Sequence, residues 1–486
     1  STLLSHFRQT TRKKVVVLAP TGVAALNVGG QTIHSFFGFR PNVTLERVKR
    51  VRPHGGEEDI YKKLDAIVID EISMVRADLL DCVDKFMRLN GPTARTPFGG
   101  VQMVFIGDLY QLPPVVASPE RAVFQSLYQT PYFFGARVFG SFHMEFVELE
   151  KVYRQRDEQF ISLLNSIRNR TIDDQGLALL NRRHVPGFEP PRGELYVHLT
   201  TTNDLAEQVN SRRLAELRSR ACLFKADIAG DFGREYLPTA VELQVKPGAQ
   251  VMMLNNDAEG RWVNGTIGEI ASIDEEARGR QAIVVDLAEG ERVEVLPYTW
   301  KIYNYFVEDG QLQSEAVGKF TQYPLMLAWA VTIHKAQGKT FEKVVIDFGR
   351  GTFAHGQAYV ALSRCTSLEG MVLARPLLKQ HILMDYNVVK FLTRYQYRMA
   401  EESCPLDARV ETIRRAIEKK SSLQITYLKP NDEKSRRVIR PTVIGEMEYQ
   451  GQTYLGVRAF CAERGEERTF RVDRILEIAE AQTVGA

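Results

Sequence analysis

Short blocks of β-branched and aliphatic residues punctuate the first part of the chain, at Val15–Ala19, 66–70 and 101–107. Each is closed by a polar residue, glycine or proline. Blocks that are apolar on both faces predict strands of a parallel sheet lying between helix layers. After Asp70 the pattern changes. Val75, Leu79, Val83 and Phe86 recur at spacings of four, four and three, which makes one face of an amphipathic helix. Residues 1–145 therefore read as βαβ units. Phe160, Leu163, Leu164 and Ile167 predict another helix, 196–199 a strand and 206–217 a helix; strands return at 343–347 and 371–374. The expected fold is α/β, with a second domain built from 146–265 and 322–397.

Between 266 and 321 the period drops to two. Short alternating strands at 282–285, 292–296 and 300–307 are separated by glycines and charged turns, which predicts a small β-barrel inserted in the second domain. Residues 398–407, charged and holding Pro405, read as a linker. Val410, Ile413 and Ile417 then mark a helix, and strands follow it, so 408–480 forms a separate α+β module.

Composition narrows the class without choosing a function. Of 486 residues, 44% are apolar and 25% charged, an ordinary globular balance that excludes wholesale disorder and coiled coil. No apolar run approaches the ~18 residues of a membrane span, and no secretory apolar region opens the chain. Five scattered cysteines form no CxxC pair, so neither a disulfide framework nor a zinc site is expected, and a reducing intracellular setting is. Lys and Arg number 63 against 60 Asp and Glu; from Ala408 onward the count is 15 against 12, the whole of the excess. Nucleic-acid binding depends on local basic grooves, so this balance alone decides nothing.

Candidate chemistry sits at the strand ends. Asp70-Glu71 closes a buried strand. One carboxylate there can hold Mg²⁺ while its neighbour activates water, although acidic residues also end buried strands for structural reasons. The sequence contains no GxxxxGK[ST] loop. Ser1-Thr2, followed by Leu3, Leu4 and Phe7, reads as the start of the helix that follows such a loop, which is then expected upstream. Ser1, or Thr2 in the other register, would supply the hydroxyl for Mg²⁺, and a plain helix cap is the alternative. Gln111, on the loop 107–114 with Asp108, is placed to sense a γ-phosphate; a proline-closed turn is the other reading. Arg154 and Arg364 could supply positive charge across a domain interface, where an arginine finger is typically worth ~10³–10⁵ in rate. Either could equally be a surface ion pair.

Together these pieces are more specific than any one of them. Residues 19–25 (Ala-Pro-Thr-Gly-Val-Ala-Ala), 32–37 (Thr-Ile-His-Ser-Phe-Phe), 69–71, 107–113, 149–168, 331–338 (Val-Thr-Ile-His-Lys-Ala-Gln-Gly) and 359–364 occur in that order. The set closely resembles the Pif family of superfamily-1 DNA helicases, in the 5′-to-3′ branch with RecD and Dda, over about 1–397. The segment 149–168 resembles the signature that separates Pif helicases from RecD-like relatives. The resemblance implies two RecA-like domains, an SH3-like insertion, ATP and Mg²⁺ as cofactors, and translocation on single-stranded or forked DNA, with G-quadruplexes as a further substrate. It also implies a monomer and a cytoplasmic, nucleoid-associated setting in a bacterium. Asp70 would hold Mg²⁺, Glu71 would activate water, and Gln111, Arg154 and Arg364 would meet the γ-phosphate. Gly338 would lie near nucleotide and DNA. Without the nucleotide-cradling loop, two other readings stay open: a nucleic-acid-binding protein that has lost hydrolysis, and a RecD-like subunit of a nuclease complex.

By the same resemblance, DNA would be gripped in two places. On the first domain these are Pro20, Thr21 and Gly22 through backbone amides, and His34, Phe36 and Phe37 through ring faces. Core packing is the alternative for the phenylalanines. On the second domain they are Thr332, His334 and Lys335, with Thr200, Thr201 and Asn203. Residues 40–57, with Arg47, Lys49, Arg50 and Arg52, would form a wedge near a duplex junction or a solvated basic loop. Residues 408–480 resemble a WYL domain, from 423–427, Arg440-Pro441, Tyr454-Leu455 and 469–475, with Thr453 at the namesake tryptophan position. Arg440, Arg471 and Arg474 would line a groove for nucleic acid or a regulatory partner; a solvated or docking surface is the alternative.

Overall fold

The computed structural model describes residues 13–51, 60–142, 144–149, 151–191, 193–275, 281–308, 311–349, 351–429, 434–449 and 451–481. Ser1 and Thr2 lie outside them, as does the end of the 40–57 segment. The chain divides into two compact units. The first takes the residues up to Glu145 with Leu149–Arg168 and Ile172–Leu383. The second takes Phe146–Glu148, Asn169–Thr171 and the chain from Met384 onward.

In the first unit, four parallel strands run in the order Gln31–Thr32, Val15–Ala19, Ala66–Ile69 and Gln102–Phe105. Ala66–Ile69 is buried throughout, as a strand covered on both faces must be. Ala77–Asn90 is the amphipathic helix predicted after Asp70, and it buries Leu79, Leu80, Val83, Phe86 and Met87. The described part of the 40–57 segment is bonded along this helix. Arg50 donates to the Leu89 carbonyl, Lys85 to that of Leu45, and Val51 N–H to Asn90.

A second four-stranded parallel sheet has the order Ala330–Thr332, Val197–Thr200, Val344–Ile346 and Met371–Leu373. Its register sets Thr332 beside Thr200. Parallel sheets gather ligands at the carboxyl ends of their strands. In both sheets the candidate residues follow those ends.

The antiparallel portion is larger than the period-two stretch predicts. A five-stranded sheet joins Arg292–Val295, Gln281–Leu287, Ile267–Glu275, Gln250–Met253 and Leu325–Leu327, and Tyr298–Glu308 with Gln311–Gln322 forms a long hairpin bordered by Asp227–Gly230. Cys222–Lys225 and Glu242–Val245 pair as well. Antiparallel pairing therefore begins at Cys222, ahead of the expected boundary at 266. Gln250–Met253 is buried at every position, so its pattern cannot be told from a parallel strand.

The second unit pairs two helices with a five-stranded antiparallel sheet. The strand order is Glu466–Arg471, Gln452–Cys461, Lys434–Tyr449, Leu423–Leu428 and Ile475–Glu480. Ile413, Ala416, Leu423, Ile425, Val457 and Phe470 fill its core. The expected linker is mostly helix: Tyr386–Ser403 runs through it and Leu406–Lys419 starts just after Pro405. Arg409, only 2% exposed, fastens the break. It donates to the carbonyls of Cys404, Val472 and Ile475 and pairs with Glu401.

Candidate nucleotide and nucleic-acid site

The strand Ala66–Ile69 delivers two carboxylates to one place. Asp70 N–H still bonds the Leu18 carbonyl at 2.9 Å, so the sheet holds the chain up to that residue. Glu71 then takes a left-handed backbone conformation, φ 51°. For a residue with a side chain this costs on the order of 1–3 kcal/mol and persists only where surroundings enforce it. Here the Glu71 amide donates to Asp70 Oδ1 at 3.0 Å and Ile72 N–H bonds the Ile106 carbonyl. Glu71 Oε2 accepts a hydrogen bond from Gln337 Nε2 of the second sheet's loop at 3.1 Å. Burial, then the Asp70 charge, push the Glu71 carboxyl up to about 7, with Asp108 adding to the rise; Arg364 and the Gln337 amide pull the other way.

The loop after Gln102–Phe105 folds on its own aspartate. Asp108 Oδ1 accepts from Tyr110 N–H at 3.0 Å and Asp108 Oδ2 from Gln111 Nε2 at 3.2 Å. Arg168, from the segment that resembles the signature, lies 3.8 Å from Asp108 Oδ1 and stacks on the Tyr110 ring.

Arg364 and Arg154 both come from beyond the first sheet. Arg364 is 2% exposed. Its guanidinium donates to the Val360 carbonyl at 2.9 Å, the Lys339 carbonyl at 3.2 Å and Ser363 Oγ at 2.9 Å. Among the described residues no carboxylate pairs with it. Burial, then the charge of Arg154, bring it down to about 10. Arg154 donates to Thr340 Oγ1 at 2.9 Å and to the Ser363 carbonyl at 3.4 Å, and burial lowers its pKa too. Gln155 anchors the same carbonyl and that of Cys365. Arg364 and Arg154 are thus two neighbouring cations held on neutral acceptors, and Arg364 is close enough to Glu71 to lower its pKa. Carboxylate oxygens of the Asp70 kind are hard donors that suit Mg²⁺.

The second-domain candidates for DNA contact lie on neighbouring strand ends. Thr200, Thr201 and Asn203 leave one strand beside Thr332, His334 and Lys335 leaving its neighbour. Asn203 and Lys335 are exposed, Thr201 and His334 half-buried. Thr200 and Thr332 are buried, and their hydroxyls shape the loops: Thr200 donates to the Thr202 carbonyl and Thr332 accepts from Lys335 N–H. Gly338 is exposed on the following turn.

In the first grip, Thr21 is exposed and caps the helix Gly22–Asn27. Pro20 has no N–H to offer. Gly22 is explained by packing: a Cβ there would lie 2.2 Å from the Glu235 carbonyl oxygen. His34 is half-buried with its pKa lowered by burial. Phe36 and Phe37 are 7% and 3% exposed, in an aromatic cluster with Tyr61. Their faces are covered, so the packing alternative is the one the geometry supports.

Residues 1–176 match the PIF1-like helicase model, 301–394 a model described as helicase, and 408–480 the WYL domain. Pif1 from Bacteroides sp., solved in complex with ADP-AlF4, superposes with a TM-score of 0.74 at 36% identity, covering 81% of this chain and 90% of that one. The chain belongs to the PIF1-like helicase family. Human ATP-dependent DNA helicase PIF1 is 35% identical over 372 residues, 73% of this chain and 53% of that protein. Pif1 of Bdellovibrio bacteriovorus is 29% identical, covering 82% of this chain and 86% of that protein. The chain thus spans about half the length of the human relative. The two parallel sheets are the RecA-like pair of the Pif1 family, with a WYL domain following.

Several residues of this Pif1-family site are invisible to sequence reasoning. Gln337 lies inside a recognised motif, but its partner is 266 positions away. Lys339 is 8% exposed and bonded to Asn264, and burial lowers it to about 8. Phe353 is 63% exposed, with its ring plane 15° from that of His334. On the WYL sheet, the register puts Arg440 opposite Phe460 and Arg471 opposite Gly456. Strand alternation sets Arg458 on the same outer face. Arg471 also caps Tyr454 and pairs with Asp473 at 2.6 Å. Arg474 is on the turn Val472–Arg474 that follows Arg471.

Proposed function

We propose that this chain is the motor of an ATP-dependent DNA helicase that moves 5′ to 3′ along single-stranded DNA and opens forked duplex. The hydrogen bond between Gln337 and Glu71 carries the reading. It ties the acidic tip of one RecA-like sheet to the loop of the other that also bears His334 and Lys335. Bacteroides Pif1, at 36% identity, has been crystallised with ADP-AlF4 and bound to ssDNA, which supports the same ligands here.

In this reading Glu71 takes the proton of the attacking water. Its raised pKa makes it a base matched to neutral pH. Asp70, with Ser1 by resemblance, would hold Mg²⁺, which when bound neutralises phosphate charge and orients the nucleotide. Gln111 exchanges its bond with Asp108 for one with the γ-phosphate. Arg154 and Arg364 donate to the developing charge on the transferred group. Lys335, Asn203 and Thr201 hold the DNA backbone from the second domain, and Thr21 and His34 from the first. Closure on ATP and opening after hydrolysis move one grip past the other. A monomer suffices for this cycle. Arg440, Arg458 and Arg471, with Phe460 and Tyr454, make a basic, aromatic strip on the WYL sheet suited to a nucleic-acid strand, G-quadruplex or single-stranded.

Tailed duplexes test the reading. The protein encoded by the complete reading frame should unwind a duplex with a 5′ single-stranded tail and leave one with a 3′ tail intact in the presence of ATP and Mg²⁺. Equal unwinding of both, or of the 3′-tailed duplex alone, would contradict it.

A further inference from the structure

His355 lies on the second RecA-like domain, two residues ahead of the helix that leads to Arg364, and reaches into the first domain. The residue is 8% exposed. Nε2 donates to the Leu109 carbonyl at 3.2 Å, and the ring centroid lies 6.3 Å from that of Tyr110 and 6.5 Å from that of Tyr132. The next residue presses closer still. Gly356 has φ +72°, and a Cβ there would sit 2.4 Å from both the Tyr110 and the Gln111 carbonyl oxygens. Two successive residues of one domain thus meet the carbonyls of three successive residues of the other, and the third of these is Gln111. The loop that does this is itself closed, since Phe353 N–H donates to Gln357 Oε1 at 3.0 Å. The helix Gln357–Leu362 then runs directly to Ser363 and Arg364.

We propose that His355 is a positioning residue, a latch between domains that holds the Asp108–Gln111 loop in register with Arg364. A buried imidazole N–H on a carbonyl is a directional tie, and losing it leaves that acceptor unsatisfied. The ten-residue stretch from His355 to Arg364 then sets two elements from one piece. Gln111 on the first domain and the arginine on the second reach a nucleotide together or not at all. This deepens the motor reading and rests on it for its consequence in hydrolysis, but the latch itself can be measured without turnover.

Amide hydrogen exchange on the full-length protein, nucleotide-free and with ADP–aluminium fluoride, makes that measurement. In His355→Ala the Tyr110 and Gln111 amides should exchange about tenfold faster, while those of Val344–Ile346 are unchanged. His355→Gln, which keeps a side-chain N–H, should recover most of the protection. In turnover, His355→Ala should lower kcat for DNA-stimulated ATP hydrolysis about tenfold with KM for ATP within twofold, and His355→Gln should restore it. Unchanged exchange at Tyr110 and Gln111 overturns the latch, and so does faster exchange with kcat intact in an active enzyme. A wild-type protein inert towards ATP would count against the motor reading alone, because the exchange comparison still decides whether His355 holds the loop.

Discussion

Gln337 donates its side-chain amide to the Glu71 carboxylate at 3.1 Å, joining two residues from different parallel sheets. Gln337 sits two positions after Lys335, and its own N–H bonds the His334 carbonyl. The turn proposed to meet DNA therefore also tunes the carboxyl proposed to activate water. Removing the donor disfavours the charged carboxylate and raises the pKa of Glu71 above about 7. In Gln337→Ala the ascending limb of kcat/KM against pH should move up by roughly 0.5–1 unit, one hydrogen bond's worth. A pH profile of ATP hydrolysis checks this, and an unmoved limb argues against the contact.

Glu71 also carries a stability cost. Its native pKa of about 7 stands above the ordinary 4.5, so the unfolded chain releases the proton first as pH rises. Native stability should fall between those two values and level off above them. Glu71→Gln lacks the titration. It should melt a few degrees above wild type at pH 8, with the difference vanishing towards pH 4.5, and should lose at least ~10²-fold in kcat while still binding DNA. Scanning calorimetry at both pH values is the test; a lower melting temperature at pH 8 would contradict the burial argument.

The strands ending in candidate residues are legible because a buried parallel strand is apolar at every position, as in Ala66–Ile69. Gln250–Met253 is buried at every position too, although it opens on a polar residue, and it lies in an antiparallel sheet inside the range expected for the second α/β domain. Asp70, Glu71, Arg154 and Arg364 are readable as residue types in motifs. Their electrostatics are not, since the largest cause of the Glu71 shift is burial, which only the fold creates, and beside the adjacent Asp70 the shift is modified by Arg364, Asp108 and Gln337, all distant in sequence. Phe36 shows the opposite failure. An aromatic in a DNA-associated motif looks like a stacking platform until its neighbours Phe37 and Tyr61 cover it. His355 belongs to no motif, and only folding brings it to Leu109.

Arg364 separates charge from geometry. Lysine keeps the charge but cannot make the three bonds to Val360, Lys339 and Ser363. Arg364→Lys and Arg364→Ala should both lose about 10³-fold in kcat while DNA affinity stays within a few-fold. Steady-state ATPase and fluorescence anisotropy measure the two. Near-normal turnover in Arg364→Lys would mean that a positive charge suffices without the guanidinium geometry, and near-normal turnover in Arg364→Ala would remove the arginine from hydrolysis altogether.

On the WYL sheet, Arg440, Arg458 and Arg471 share one face. If they meet phosphates, each substitution by glutamine should reduce the slope of log affinity for single-stranded DNA against log salt by about 1. Salt titrations of the intact protein read that slope. No change in any of the three variants would assign the strip to solvent or to a protein partner.

In the proposed motor, one cleft with Glu71 on one wall and Arg364 on the other couples ATP hydrolysis to a single strand. The most direct test is the ATP hydrolysis rate of the complete protein with and without single-stranded DNA, beside its Glu71→Gln variant. A several-fold stimulation by DNA that vanishes in the variant is the predicted result. Hydrolysis that ignores DNA, or survives the loss of Glu71, would contradict it.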